Sequence, residues 1–339
     1  MTGMPHISAK SFRILSHFAI LMLVVFASVR TLPAQTCSSG ADLDAATKNA
    51  LDTAAKQYLE MSKNGDVAGL KANAIPQITG DFGSIERAVV TNRPYLAEGQ
   101  SSFTATYLLD ASDGKAPLPR AEFYCGIYNS TDRTAFFITN LPPGRYAIVM
   151  QKVNGKDPIT LTLILQNVGG AWKLAGYYPR LDDIGGHDGQ WYLNRARELK
   201  TKGQLHDAWF YYVTAWDLSA PVNFMSTPQL DKIAEEMQAA RPSDLPGRDA
   251  PLTLSANGKV FKVTEMTAVP ENNNLNLVIR YTNEEATNNS AAFQDNVAVM
   301  KAIVAKYPEL RDIFTAVNAD AVDSSGHEYG TLLPVKDLK

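Results

Sequence analysis

The sequence predicts an α+β fold in three successive parts. Helices pack on a curved antiparallel sheet, a helical hairpin with a third helix follows, and a small ββαββ domain ends the chain. Three observations carry this. Apolar residues first recur at spacings of three and four. A series of short Thr-, Tyr-, Phe-, Val- and Ile-rich runs broken by turn residues comes next. The helical period then returns after Gly185, before alternation resumes past Leu252. The 339 residues suffice for one large domain or two to three small ones, and 45% hydrophobic with 20% charged residues is a globular composition.

Residues 1–34 stand apart from that fold. Lys10 and Arg13, the apolar run AILMLVVFASV (Ala19–Val29) and the closing TLPAQ, with Leu32 and Ala34 at −3 and −1, form the pattern of a secretory signal peptide. The apolar run is shorter than the roughly 20 residues that span a bilayer; an uncleaved N-terminal anchor is the rival reading. Cleavage after Ala34 changes the formal net charge from −3 to −6. No other segment reads as transmembrane, so the mature chain is expected to be periplasmic or extracellular, with no membrane attachment after cleavage. That compartment is oxidising. Both cysteines, Cys37 and Cys125, belong to the mature chain and are expected to pair, pinning its N-terminus to a central strand; two unpaired thiols are the alternative. Ala34-Gln35-Thr36 lacks the Leu and small residue of a lipidation site.

The first domain is placed at 41–180. Leu43–Met61 reads as a helix, with Leu43, Ala46, Ala50, Leu51, Ala54, Tyr58 and Met61 at helical spacing. KNGD breaks it, VAGLKANAI gives a short second helix, and Pro76 is expected to end that. From Phe103 onward, six strand-like runs separated by Asp113-Gly114, Asn129-Ser130, Pro142-Pro143-Gly144, Asn154-Gly155 and Gly169-Gly170 predict one antiparallel meander. Its apolar face is expected to pack on the helices. Leu161, Leu163 and Leu165 share one face, and beyond the turn Trp172, Leu174, Gly176 and Tyr178 line one face.

YLEMSKNGDVAGLKANAIPQI and the closing LILQNVGGAWKLAGYY resemble the opening and ending of nuclear-transport-factor-like (SnoaL-like, cystatin-like) domains. The resemblance covers Ala41–Tyr178. It implies a cone-shaped fold with a pocket, which serves isomerases and cyclases in some members and binding or assembly in many others. ITNLPPGRYAIVMQ (Ile138–Gln151) is also similar to the hairpin of carboxypeptidase-regulatory-like β-sandwiches, a fold that leaves the two N-terminal helices unexplained.

The second segment, 185–240, reads as helix, Gly203 turn, helix. Ala196, Leu199, Gly203, Ala208, Tyr212, Ala215 and Pro221 fall at offsets that resemble a single tetratricopeptide-like repeat. TPQLDKIAEEMQAA adds a third helix with Thr227 as N-cap, Pro228 in the first turn, and Leu230, Ile233, Ala234 and Met237 as its stripe. After the linker RPSDLPGRDAP, the third domain (252–339) reads as a hairpin, a helix with Phe293, Val297, Met300 and Val304 on one face, and two more strands around Ser324-Ser325-Gly326. Together AEFYCG, LPPGRY, HDGQWY and MSTPQLDK resemble exported bacterial proteins, which implies export and no particular activity.

Chemistry-bearing motifs are sparse. No nucleophile elbow, Walker loop or dinucleotide fingerprint is present. The mature chain keeps His187, His206 and His327, none at metal-ligand spacing. Asp182, Asp183, His187 and Asp188 are more readily a helix-capping linker than a metal site, so no metal and no cofactor are expected. Glu122 and Asp110 are conceivable bases on solvent-facing strands; no catalytic residue is assigned. The acidic charge and the absence of basic patches argue against nucleic acid. Tyr124, Trp172 and Tyr178 are the candidate ligand-binding aromatics, for a small apolar ligand. Trp209, Tyr212 and Trp216 are the candidates for a protein partner, weighed against simple packing of a helix buried on both sides. The expected function is a non-catalytic exported module that binds a small ligand or a protein. A SnoaL-like isomerase or hydrolase and an assembly protein are the alternatives.

Overall fold

The computed structural model describes residues 35–97, 99–126 and 130–339. The expected signal segment, residues 1–34, lies outside the described residues. Gln35–Lys339 form one compact α+β unit. Among the described residues no helix is long and apolar enough to cross a membrane.

Helix α1 (Ala45–Asn64) opens where the Asp44 carboxylate accepts the Thr47 N–H and closes at Gly65, whose φ of 68° suits a left-handed cap. In α2 (Val67–Ala72), Asp66 caps through the Gly69 N–H. Pro76 does not end that helix; it opens a further turn, α3 (Pro76–Thr79), at the position where its missing N–H costs nothing. A fourth helix, α4 (Gly83–Ala97), was not expected from the sequence, because Pro94 inside it disguises the period.

Strand β1 (Thr36–Ser39) precedes these helices, and β2 (Gln100–Asp110), β3 (Leu118–Cys125), β4 (Thr134–Leu141), β5 (Arg145–Asn154), β6 (Ile159–Val168) and β7 (Ala171–Leu181) follow, with a short hairpin of β8 (Asp183–Ile184) and β9 (His187–Asp188). The single meander expected from the turns is replaced by two sheets. One has the order β1-β2-β5-β6-β7, and the other the order β10-β4-β3, with β10 at Met225–Ser226. The reason is burial on both faces of the larger sheet. Leu51, Leu59, Leu70, Val89 and Leu96 of the helices cover Val149, Leu161, Leu163 and Leu165 on one face. Phe123 and Phe136 of the smaller sheet cover Leu109, Ile148 and Met150 on the other. Each such fully buried side chain contributes about 1.5–3 kcal/mol. The Cys37–Cys125 disulfide joins β1 to β3 across the layers, with Cα atoms 5.1 Å apart.

The expected face of β7 is also corrected. Leu165 pairs with Leu174 and Ile164 with Gly176, so Ala175 is bulged out of register. The bulge reverses the alternation. Trp172, Leu174 and Tyr177 join the helix side, and Tyr178 turns to the other.

Helices α5 (Gly189–Thr201) and α6 (Leu205–Ser219) flank Gly203, at φ 78°, and α7 (Pro228–Gln238) is capped by Thr227. The last part has three strands before its helix, not two: β11 (Leu252–Ala256), β12 (Lys259–Glu271) and β13 (Asn274–Thr282). Helix α8 (Asn289–Lys306), β14 (Ala316–Val322) and β15 (Glu328–Pro334) follow. Sheet order is β11-β12-β13-β14-β15. Strands β13 and β14 run parallel, and α8 supplies the crossover that a parallel pair requires. The buried face of α8 is Ala292, Asn296, Val299, Met300 and Ile303, while Phe293, expected on that face, is exposed. Phe210, Tyr212, Leu277, Ile279 and Met300 share one core, so α6 packs against the last sheet.

Candidate functional site

At one end of the layer between the two sheets lies a cleft of about 650 Å³. Strands β4, β6 and β7, the α3 turn and the Asn223-Phe224 pair form its walls. The backbone stitches these together. Phe137 N–H donates to Phe224 O at 2.9 Å, Ile75 N–H to Leu174 O at 2.9 Å, and Leu174 N–H to Asn73 O at 3.0 Å.

The cleft depends on the β7 bulge, which aims Tyr178 into it. It also depends on Gly176, where a Cβ would stand 2.8 Å from the Tyr178 ring and 3.0 Å from the Ile164 side chain. Only glycine lets that ring lie across the strand. Tyr178 meets Phe224 edge to face at 5.8 Å. Tyr146 is held by its hydroxyl donating to Pro142 O at 2.9 Å. Burial pushes the hydroxyls of both Tyr146 and Tyr178 above the ordinary phenol range. Asn140 adopts a left-handed φ of 54° at the rim. Its neighbours Thr139 and Leu141 pair with Arg120 and Leu118, leaving Asn140 opposite Pro119, which has no N–H to offer. Gln77, Asn140 and Asn223 are exposed and Gln166 is half-buried. None of the described residues lining the cleft is charged.

The three expected ligand aromatics do not converge. Tyr178 lines the cleft. Tyr124 lies on the smaller sheet, where its hydroxyl donates to Glu122 at 3.0 Å and its ring meets Phe137, a cleft residue, at 6.2 Å. Trp172 borders a separate groove of about 490 Å³ beside α1, with its carbonyl 3.0 Å from the Tyr58 hydroxyl. Phe137, Tyr146 and Phe224 were not singled out by sequence. Tyr146 closes the LPPGRY run and so had a local signal; Phe224 sits in an aperiodic loop and had none.

The helix aromatics pack inward. Tyr212 is buried and its hydroxyl donates to Glu236 at 3.3 Å. Trp209 lies under the Arg241 guanidinium at 5.3 Å, and Trp216 is half-buried against the same core. Glu122 pairs with Arg120 at 2.8 Å and Asp110 with Arg145 at 3.5 Å, both outside the cleft. Asp188 caps α5 through the Trp191 N–H, His187 stacks on Trp191 at 3.8 Å, and Asp182 pairs with Lys152 at 3.2 Å. Among the described residues no group of three or more His, Cys, Asp or Glu is arranged to hold a metal ion.

A second polar cluster sits where α6 meets the last part. Asp207 is fully buried, and neither carboxyl oxygen has a hydrogen-bond partner among the described residues. Burial, then the charges of Glu309 and Asp312, push its pKa up to about 7. Beside it the His206 ring nitrogens lie 3.0 Å from Glu309 and 2.9 Å from Asp244.

Comparison with protein-family models, curated proteins and solved structures finds no match for this chain.

Proposed function

We propose that the chain is an exported, non-catalytic binding module that takes a small neutral ligand into the intersheet cleft. The observation that carries this reading is the cleft's make-up. Its volume of about 650 Å³ is that of a ligand site, and its described lining holds aromatic, aliphatic and amide groups and the Thr139 hydroxyl, with no carboxylate, imidazole, amine, guanidinium or thiol to activate it. Proton transfer and nucleophilic attack near neutral pH call on such groups. Burial keeps both phenols protonated to a higher pH than usual, which disfavours either as a base.

Export rests on the signal-like segment in residues 1–34 and on the Cys37–Cys125 bond, which an oxidising compartment maintains. A periplasmic or extracellular location and kinship with nuclear-transport-factor-like domains belong to the same proposal. A helix pair laid over an antiparallel sheet supports that kinship.

The test is titration of the mature protein with Nile red, a neutral apolar fluorophore. Saturable enhancement with one site, weakened about tenfold or more in Tyr178→Ala, is the expected result. Enhancement that is absent, or unchanged in Tyr178→Ala and in Phe224→Ala, would sink the reading.

A further inference from the structure

We infer that the ligand of the intersheet cleft is a neutral saccharide. This inference rests on the proposed binding role of the cleft and adds the chemical class of what it holds.

Two sets of side chains meet there. Phe137, Tyr146, Tyr178 and Phe224 supply flat apolar surfaces. Gln77, Asn140, Gln166 and Asn223 supply four carboxamides, each with an oxygen that accepts and an NH2 that donates twice. Those four carboxamides make no hydrogen bond to any other described residue, whereas the buried amide of Asn296 uses both ends. Three of them stand exposed at the rim and Gln166 is half-buried beside the rings. Asn140 is held at its place by a backbone conformation that few residues other than glycine adopt.

The ligand must match both sets. A hydrocarbon chain would cover the rings, but it would strip water from the half-buried Gln166 amide with no hydrogen bond returned and leave the rim carboxamides unused. An anion or cation finds no opposite charge among the described lining residues. A sugar ring satisfies both. Its C–H face lies on an aromatic ring, and its vicinal hydroxyls both donate to and accept from carboxamides. A cleft of about 650 Å³ has room for a ligand larger than one sugar ring.

The test follows the Asn and Gln side-chain NH2 resonances of the mature, disulfide-bonded protein by NMR. Maltose, cellobiose and N,N′-diacetylchitobiose are titrated separately to millimolar concentration. At least one is expected to shift the Gln166 and Asn223 signals saturably. Gln166→Leu and Asn223→Ala are each expected to weaken that sugar about tenfold. If none of the three sugars shifts these signals while Nile red binds, the saccharide class is overturned and the cleft reading stands. If neither kind of probe binds, both fall. Sugar-induced shifts confined to signals outside the cleft also overturn the inference.

Discussion

The intersheet cleft and the C-terminal core treat their polar side chains in opposite ways. In the core, Asn296 is fully buried. It accepts from the Tyr281 hydroxyl at 2.6 Å and donates to Tyr329 O at 3.0 Å and the Thr331 hydroxyl at 2.9 Å. In the cleft, four carboxamides keep their bonding capacity for water or a ligand. A buried amide must be paired because its desolvation is otherwise uncompensated; one at a solvent-reached rim is under no such demand. The difference separates groups that specify the fold from groups that remain available for recognition. Asp207 and the Asn276 Oδ1 mark the boundary of that rule, both buried and without a partner among the described residues, and Asp207 meets the cost by holding its proton.

Substitutions can break that contrast in order of size. The largest effect is expected at the staple that fixes the two sheets. Cys125→Ser opens the constraint between positions 88 residues apart and should cost about 2–5 kcal/mol in urea unfolding. It should also weaken Nile red binding, since β3 and β4 are then less firmly held over the larger sheet.

Asp207 comes next. Its folded pKa of about 7 lies above the ordinary 3.8, so between those values the native state keeps a proton that the unfolded chain has lost. Stability therefore falls as pH rises from about 4 to 7 and levels off above. Burial sets this first, then the charges of Glu309 and Asp312, with Tyr211 facing the same carboxyl. Asp207→Asn should flatten this part of the profile and be more stable than the parent at pH 8. A parent whose unfolding midpoint is unchanged between pH 4 and 8 would contradict the assignment.

Asn296→Ala should cost about 3 kcal/mol, by leaving Tyr281 and Thr331 unpaired beside a small void. Gln166→Ala, in the cleft, should change stability by less than about 0.5 kcal/mol while lowering ligand affinity. Equal stability losses in these two variants would erase the distinction between the regions.

Much of the fold was legible because its signals are local. The caps at Thr227 and Asp188, the Gly203 turn, and the Leu161-Leu163-Leu165 face each depend on a handful of neighbouring residues. The cysteine pairing followed from compartment and count. What was hidden is non-local or breaks a period. Strand β10 is two residues that reach back to Phe136 and Ala135, nearly 90 positions away, and nothing near Met225 announces it. The departure of β3 and β4 into a second sheet has the same origin. The bulge at Ala175 leaves an alternating sequence that reads one way and folds the other, which exchanged the faces of Tyr177 and Tyr178. The cleft was therefore only partly visible. Tyr178 was named for the wrong face, Trp172 and Tyr124 belong to other surfaces, and the carboxamides are of a residue type that sequence periodicity ignores.

The most direct measurement is native mass spectrometry of the mature protein, exported to a bacterial periplasm and purified gently, alongside its Tyr178→Ala variant. The account predicts that the parent carries, or takes up when offered a neutral ligand, a single added mass that is lost on denaturation and is missing from the variant. A parent that stays at its bare mass with every neutral ligand offered, or a variant that retains the same added mass, would contradict it.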